Sequence, residues 1–488
     1  MNFRIIAYIV GWVCNFQAAF MLLPFFTALI YHEREFSSFL IAMAVCLVIG
    51  IPLTLKKPKN KVFYTKDGCV AVALSWVALC VFGALPFVVS GYIPHPVDAL
   101  FETVSGFTTT GSSILTDVEV LPHCVLIWRS FTHWIGGMGV LVFLLSLLPL
   151  TGGYHMNLMK AESPGPSVSK LVPKVQSTAK ILYTIYFGMT LAQIVLLLIG
   201  KVPLFDTLCI TFGTAGTGGF GIVNDSIGSY STYCQVVTTI FMILFGVNFS
   251  VYYLILTKKF RQAFKYEEVR YYFGIIIASI LIITFNTVHL FRNVLVAFQQ
   301  VAFQVASIIT TTGFSSTDFN QWPALSKTVL VLLMFVGACA GSTGGGFKVS
   351  RLMIVFRAVK NEIQSVTHPR SVQKVHMDGR RIPDNVVKTV LCYLAGYVVI
   401  LIVSVLLISL DNFDMTTNFT AVMATFNNVG PGLNRVGPTG NFGGFSVLSK
   451  LVLMFDMLVG RLELYPMLVI FAPGLWRIHP HRHVGKVQ

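Results

Sequence analysis

The sequence predicts an all-α polytopic membrane protein of about ten transmembrane helices, with four parallel helix, pore-loop, helix repeats around one pore and two extra N-terminal helices. Three observations carry that prediction. The 488 residues are 55% hydrophobic and only 11% charged, and the mean hydropathy is +0.74, outside the balance of a soluble domain. Lys and Arg gather in alternate loops. Short glycine-containing polar stretches interrupt apolar sequence four times, at Thr109-Thr110-Gly111, Thr217-Gly218-Gly219, Thr311-Thr312-Gly313 and Asn428-Val429-Gly430. An unpaired backbone group in hydrocarbon costs several kcal/mol, roughly, so irregular chain at membrane depth must be buried in protein or line a wet cavity.

Apolar runs long enough to cross, about 20 residues each, lie near 5–30, 36–55, 69–91, 125–150, 179–200, 233–257, 271–290, 325–346, 386–410 and 445–473. The first lacks a basic leader and an A-x-A cleavage site and is too long for a signal h-region, so it reads as a helix. The net charge of +15 invites a nucleic-acid partner, but its distribution excludes one. With the N-terminus inside, the loops after spans 2, 4, 6 and 8 and both termini hold most of the basic residues, Lys56, Lys57, Lys259, Arg351 and Arg380 among them. The positive-inside rule therefore puts both termini in the cytoplasm. Acids predominate opposite, at Glu33, Asp98, Glu102, Asp117, Asp225, Asp318 and Asp414 among others. An acidic outer vestibule that concentrates cations is expected. The nine cysteines lie in or beside spans without C-x-x-C spacing, so they read as small buried hydrophobes, with no disulfide framework or zinc site.

From span 3 onward one unit recurs: an outward span, a short amphiphilic stretch, the Gly/Thr segment, and an inward span ending in basic residues. Repeat boundaries fall at 69–178, 179–270, 271–385 and 386–488, after two leading helices in 1–68. The short stretches, Val97 to Thr108, Leu204 to Ala215, Asn293 to Thr310 and Met415 to Phe426, suit pore helices that enter from outside and end near the midplane. Their inward-pointing negative dipole ends favour a cation. All four repeats share one orientation, unlike the inverted repeats of alternating-access transporters.

A cation stripped of water needs several oxygen ligands, and carbonyls of converging extended segments offer them in a ring. Glycine permits the backbone angles and keeps side-chain bulk off the axis. One T-T-G is more often a helix break than a filter; four in register point to a pore.

Seven stretches carry a family resemblance: SGFTTTG at 105–111, TGGF at 217–220, TTTGF at 310–314, NNVGPG at 427–432, RSFTHWIGGMG at 129–139, GSTGGG at 341–346 and GRLE at 460–463. The chain resembles the TrkH family, membrane subunits of bacterial Trk potassium-uptake systems within the Trk/Ktr/HKT superfamily, and the two leading spans favour that branch over the shorter KtrB type. The resemblance implies potassium permeation across the bacterial inner membrane through a filter of Thr109, Thr110, Gly111, Thr217, Gly218, Gly219, Thr311, Thr312, Gly313, Asn428, Val429 and Gly430. Glycine in the first loop, here Gly111, goes with potassium and serine with sodium. The fourth loop departs from T-x-G through Asn428-Val429, which makes the ring less symmetric. A homodimer and a cytosolic TrkA-like partner that binds NAD(H) and ATP are also implied.

Span 8 carries Gly337, Gly341, Gly344, Gly345 and Gly346 around Ser342 and Thr343, enough glycine to break a helix at about 1 kcal/mol each. Close helix packing is the alternative; the resemblance implies an intramembrane gate below the filter. GSTGGGFK lacks the adjacent Gly-Lys pair of a phosphate loop, so no nucleotide is assigned to this chain. Arg461 lies deep in span 10, where a charge faces a cavity or a partner, with Asp456 and Glu463 as candidate partners. The resemblance makes it an electrostatic barrier under the filter. Arg129, His133 and Trp134 read as interface anchors and packing residues rather than ligands. His479, His481 and His483 read as a solvated cytoplasmic face. Lys160–Lys180, Lys258–Arg270 and Lys348–Lys388 are the natural docking surface for the partner or for anionic lipid.

The expected activity is therefore not enzymatic. A potassium symporter coupled to protons or sodium is the alternative, distinguished by ionisable groups in the conduction path.

Overall fold

The computed structural model describes residues 1–58, 64–139, 175–369 and 373–472. Most of the segment 160–180, the part of span 4 beyond residue 139, and the tail histidines His479, His481 and His483 lie outside the described residues. Six stretches are helical, long and apolar enough to cross a membrane: Phe3–Ile30, Phe36–Leu55, Lys66–Ser90, Ser177–Ile199, Glu267–Leu290 and Asp384–Asp411. They comprise α1 (Phe3–Phe20) with α2 (Leu22–Ile30), α3 (Phe36–Leu55), α4 (Thr65–Ser90), α7 (Val175–Ile199), α12 (Glu267–Thr287) and α16 (Asp384–Ile408). Each is one of the expected outward spans or one of the two leading ones.

The inward helices are short. α6 (His123–Gly137), α9 (Thr232–Phe245), α14 (Ala324–Val336) and α18 (Val447–Leu462) are 13 to 16 residues long, and a helix of that length does not by itself cover the roughly 30 Å hydrocarbon core at about 1.5 Å per residue. After Gly246 the chain turns through 93° into α10 (Phe249–Leu256), which leads by α11 (Phe260–Ala263) to α12. Beyond Gly337, at φ 70°, residues 337–348 are irregular before α15 (Val349–Thr367). At Glu463, with φ 68°, α18 gives way to α19 (Leu464–Ile470). A hydropathy window sees an unbroken apolar run because glycine is neither polar nor charged.

Between outward and inward helices stand four short ones, α5 (Pro96–Phe107), α8 (Leu204–Gly216), α13 (Val294–Ile309) and α17 (Met415–Phe426), within two residues of the expected pore helices. Their starts are written locally. Pro96 opens α5, and the Asn293 and Asp414 side chains accept from Val296 N–H and Thr417 N–H at 2.9 and 3.0 Å. Asp98 and Asp206 in first turns favour the positive dipole ends.

The packing order closes on itself. α8 packs on α6 and α9, α13 on α9 and α14, α17 on α14 and α18, and α5 on α18 and α6. Each short helix thus wedges between the inward helix of its own unit and that of the preceding one. The last two turns of each are wholly buried, which brings four C-termini to one place.

On the basic side, β1 (His376–Met377) and β2 (Arg380–Arg381) pair antiparallel across Asp378-Gly379, both at positive φ as a tight hairpin requires. Asp378 accepts from Glu267 N–H at 2.7 Å and so caps α12.

Candidate functional site

All four short helices end in the same motif. A left-handed residue closes each helix, at the cap in α8 and just after it in the others, with φ 56° at Thr109, 55° at Thr217, 59° at Thr311 and 55° at Asn428. Its N–H bonds three residues back, to Gly106, Thr214, Ile308 and Thr425. The next N–H, of Thr110, Gly218, Thr312 or Val429, bonds five residues back at 2.8 to 2.9 Å. This is a Schellman closure, usually made by glycine. Here threonine or asparagine holds it, against a cost of about 1–2 kcal/mol for a left-handed L-residue. Gly111, Gly219, Gly313 and Gly430 follow, again at positive φ, from 74° to 101°.

The segments meet in cyclic order. A Cβ on Gly111 would overlap the carbonyl oxygen of Gly218, one on Gly219 that of Thr312, and one on Gly313 that of Val429. One on Gly430 would lie 2.7 Å from the carbonyl oxygen of Thr110. Each glycine is therefore required by its neighbour's carbonyl as well as by its own φ. All twelve expected filter residues are brought together here. The four glycines line a single outer cavity of about 160 Å³, room for a few water molecules.

The fourth corner differs from the others. Ser112 Oγ donates to the Gly430 carbonyl at 3.0 Å, and the Asn428 amide donates to Thr110 Oγ1 and to the Met457 carbonyl, both at 2.9 Å. Asn428 thus ties the fourth segment to the first through a bond that the threonines of the other corners do not reproduce.

The described residues that line the cavity include serines, asparagines and Arg129 and no carboxylate. Glu102 is buried and pairs with Arg129 at 2.8 Å behind the lining residue Ser113, while exposed Asp117 accepts from Asn224. Of the two roles expected of it, His133 takes that of a packing residue and not of an interface anchor. It lies fully buried against the ring, its Nδ1 2.9 Å from the Gly106 carbonyl and its Nε2 accepting from Phe220 N–H at 3.3 Å. Arg129 adds a bond to the Gly221 carbonyl at 3.2 Å and stacks on the Phe220 ring. Sequence reasoning had no signal for these links, since Glu102 and Arg129 are 27 residues apart on different helices.

On the inner side, segment 337–348 folds up against the third and fourth corners. Gly345 N–H donates to Thr311 Oγ1 at 2.6 Å. A Cβ on Gly344 would come within 2.8 Å of the Thr310 carbonyl, and one on Gly345 would overlap that of Asn427. Gly341, at φ 70°, presents its carbonyl to Phe249 N–H at 3.0 Å, and Gly346, at φ 80°, packs on Gly337. Glu268 of α12 pins both ends of the segment, accepting from Ala340 N–H at 2.7 Å and Ser350 N–H at 3.1 Å. Lys348 reaches back to the Gly344 carbonyl.

Arg461 is half-buried at the end of α18. It donates to the Thr343 carbonyl at 2.8 Å and to those of Gly136 and Gly137 at 2.5 Å, joining the glycine-rich segment to α6 across the axis. Of the acids nearby, Glu463 pairs with Arg351, and Asp456 accepts from Ser404 Oγ at 2.8 Å.

Comparison with known proteins agrees with this architecture. Residues 35–478 match the model of the TrkH family, described as cation transport protein. The chain is 34% identical to the Trk system potassium uptake protein TrkH of Salmonella typhimurium over 98% of its own length and all of the relative's. It is 31% identical to TrkG of Escherichia coli over 97% of its length and 99% of that protein's. The crystal structure of the potassium transporter TrkH from Vibrio parahaemolyticus superposes with a TM-score of 0.88 at 31% identity, covering 98% of this chain and 100% of that one. The chain belongs to the TrkH family of cation transport proteins.

Proposed function

We propose that this protein takes up potassium across the bacterial inner membrane through a channel-like pore. The cyclic contact between each segment's glycine and the next segment's carbonyl carries the proposal. A ring of backbone carbonyls replaces the hydration shell of a weakly hydrated cation, and no carboxylate is needed at the ring. Residues 69–178, 179–270, 271–385 and 386–488 act as pseudo-fourfold repeats, with the filter at Thr109–Gly111, Thr217–Gly219, Thr311–Gly313 and Asn428–Gly430. Helix dipoles aimed at the ring add negative potential where the ion sits.

Gly341, Gly344, Gly345 and Gly346 form the gate with Arg461. The irregular segment closes the path beneath the ring, and the guanidinium supplies a positive barrier to a cation. Opening requires that Thr343 and Gly345 release Arg461 and Thr311. The names of the Trk system relatives support assembly with further components. The chain works as a homodimer with a cytosolic nucleotide-binding subunit, its basic loops and both termini on the cytoplasmic side and in contact with membrane lipid.

Rubidium uptake into proteoliposomes of the purified protein, with sodium competition and a Gly111→Ser variant, tests the proposal. Uptake driven by the potassium gradient alone, with poor sodium competition that improves in the variant, is expected. Uptake that requires a proton or sodium gradient would overturn the channel mechanism.

A further inference from the structure

At the second corner of the ring the middle residue is Gly218, where the other corners carry Thr110, Thr312 and Val429. A Cβ on Gly218 would overlap the imidazole of His133. The ring of His133 thus occupies the place where residue 218 would put its own side chain.

The inward helices share a register. α6, α9, α14 and α18 follow the caps Pro122, Ser231, Pro323 and Ser446, and the eleventh residue after each cap is His133, Met242, Met334 and Met457. All four are buried. Met334 shares an apolar cluster with Val429, and the Met457 carbonyl receives the amide that also bonds Thr110. Three corners therefore carry a flexible methionine on the preceding inward helix, and one carries histidine with glycine opposite it.

The chemistry at that corner is different. Gly106 O can only accept and Phe220 N–H can only donate, so His133 is neutral with its proton on Nδ1. It thereby ties the end of α5, which leads into the first segment, to the residue that follows Gly219. Methionine offers packing but no comparable hydrogen bond.

We propose that His133 is a positioning residue of the ion-selective ring, substituting for the missing side chain at Gly218 and fixing the spacing between the first and second segments. The inference rests on the filter reading above, and wild-type rubidium uptake tests that reading separately.

Uptake by His133→Met, with sodium competition, tests the inference itself. Methionine already fills the equivalent place three times, so the variant is expected to fold and elute as wild type does, with a melting temperature lowered by the Phe220 N–H left unpaired. Its preference for potassium over sodium is expected to fall at least about fivefold, the size of losing two modest net hydrogen bonds. His133→Gln, which keeps one donor and one acceptor, is expected to regain most of that preference. Unchanged selectivity in a folded His133→Met protein overturns the proposal.

If His133→Met does not fold, Gly218→Thr and the double variant decide. Gly218→Thr alone is expected to abolish uptake by collision with the imidazole, and His133→Met/Gly218→Thr to recover folded, conducting protein by rebuilding the pairing of the other corners. No recovery in the double variant overturns the proposal. Nitrogen NMR of the protein in bilayers at neutral pH, with His133 assigned by difference from His133→Gln, should show a neutral Nδ1–H ring; an Nε2–H ring would contradict it.

Discussion

Arg461 donates to the carbonyl oxygen of Thr343 at 2.8 Å, so a cationic side chain from the last inward helix holds the glycine-rich segment that follows the third. Moving the segment leaves the guanidinium short of one acceptor, while Thr311 and Glu268 hold the segment independently of Arg461.

Arg461→Gln removes the charge while leaving a donor for the Thr343 carbonyl. Rubidium uptake without any cytosolic partner is expected to rise at least severalfold. Arg461→Lys keeps the charge but not the forked reach to Gly136 and Gly137, so it should fall between the two. Basal uptake equal to wild type in both variants would remove Arg461 from the gate.

Thr311→Val is nearly isosteric and deletes the acceptor of Gly345 N–H. A buried donor left unpaired costs about 1–3 kcal/mol, which destabilises the closed segment. Greater basal uptake is expected with little change in potassium over sodium preference, because the Thr311 carbonyl remains. Loss of selectivity without added uptake would show that the hydroxyl serves the ring instead.

Gly313→Ala places a Cβ against the Val429 carbonyl at φ 83°, so uptake should fall at least about tenfold, from a left-handed penalty of about 1–2 kcal/mol plus the overlap. Gly188→Ala is the control. Nothing lies within 4 Å of a Cβ there, and alanine in a helix interior is favourable by about 1 kcal/mol. Equal uptake by the two variants would refute the close-approach argument.

Glu102→Gln leaves buried Arg129 without its anion. Breaking such a pair from one side costs about 3–5 kcal/mol, whereas replacing both partners is far milder. The single variant should therefore melt well below wild type in detergent, and Glu102→Gln/Arg129→Gln should recover part of the loss. A double variant less stable than either single one would contradict the pairing energetics.

Glu33, in the outer loop before α3, accepts from the N–H groups of His123 and Cys124 at 2.6 and 2.9 Å and so caps α6 from another segment. Burial raises its carboxyl, but these hydrogen bonds from Cys124 and His123 outweigh burial and hold it below the ordinary 4.5. A depressed carboxyl contributes stability above the unfolded value and loses it as pH falls through the folded one. The melting temperature should therefore drop as pH falls below about 4.5, and Glu33→Gln should flatten that part of the profile. An identical profile in the variant would assign the acid sensitivity to other groups.

The four Gly segments and their short helices were legible because the signal is local: a helix stop and a left-handed residue are written within a few positions. The uninterrupted helices were legible through their length and hydropathy. The break after α14 was legible in the glycines of span 8, whereas the 93° turn after Gly246 was not, because a lone glycine looks apolar to a hydropathy window. The pairing of Glu102 with Arg129 was not legible, because loop sequence does not reveal which acid turns to a partner on another helix. His133 carried no signal of its own; its role lies in the empty place at Gly218, on another segment.

By itself the sequence determined which residues leave regular helix, since that follows from local propensity. Only the tertiary structure decided which carbonyl faces which glycine, that Arg461 reaches Thr343 rather than Asp456, and that one corner is built from His133. Those are contacts between residues tens to hundreds of positions apart, set by how four wedged helices close into a ring.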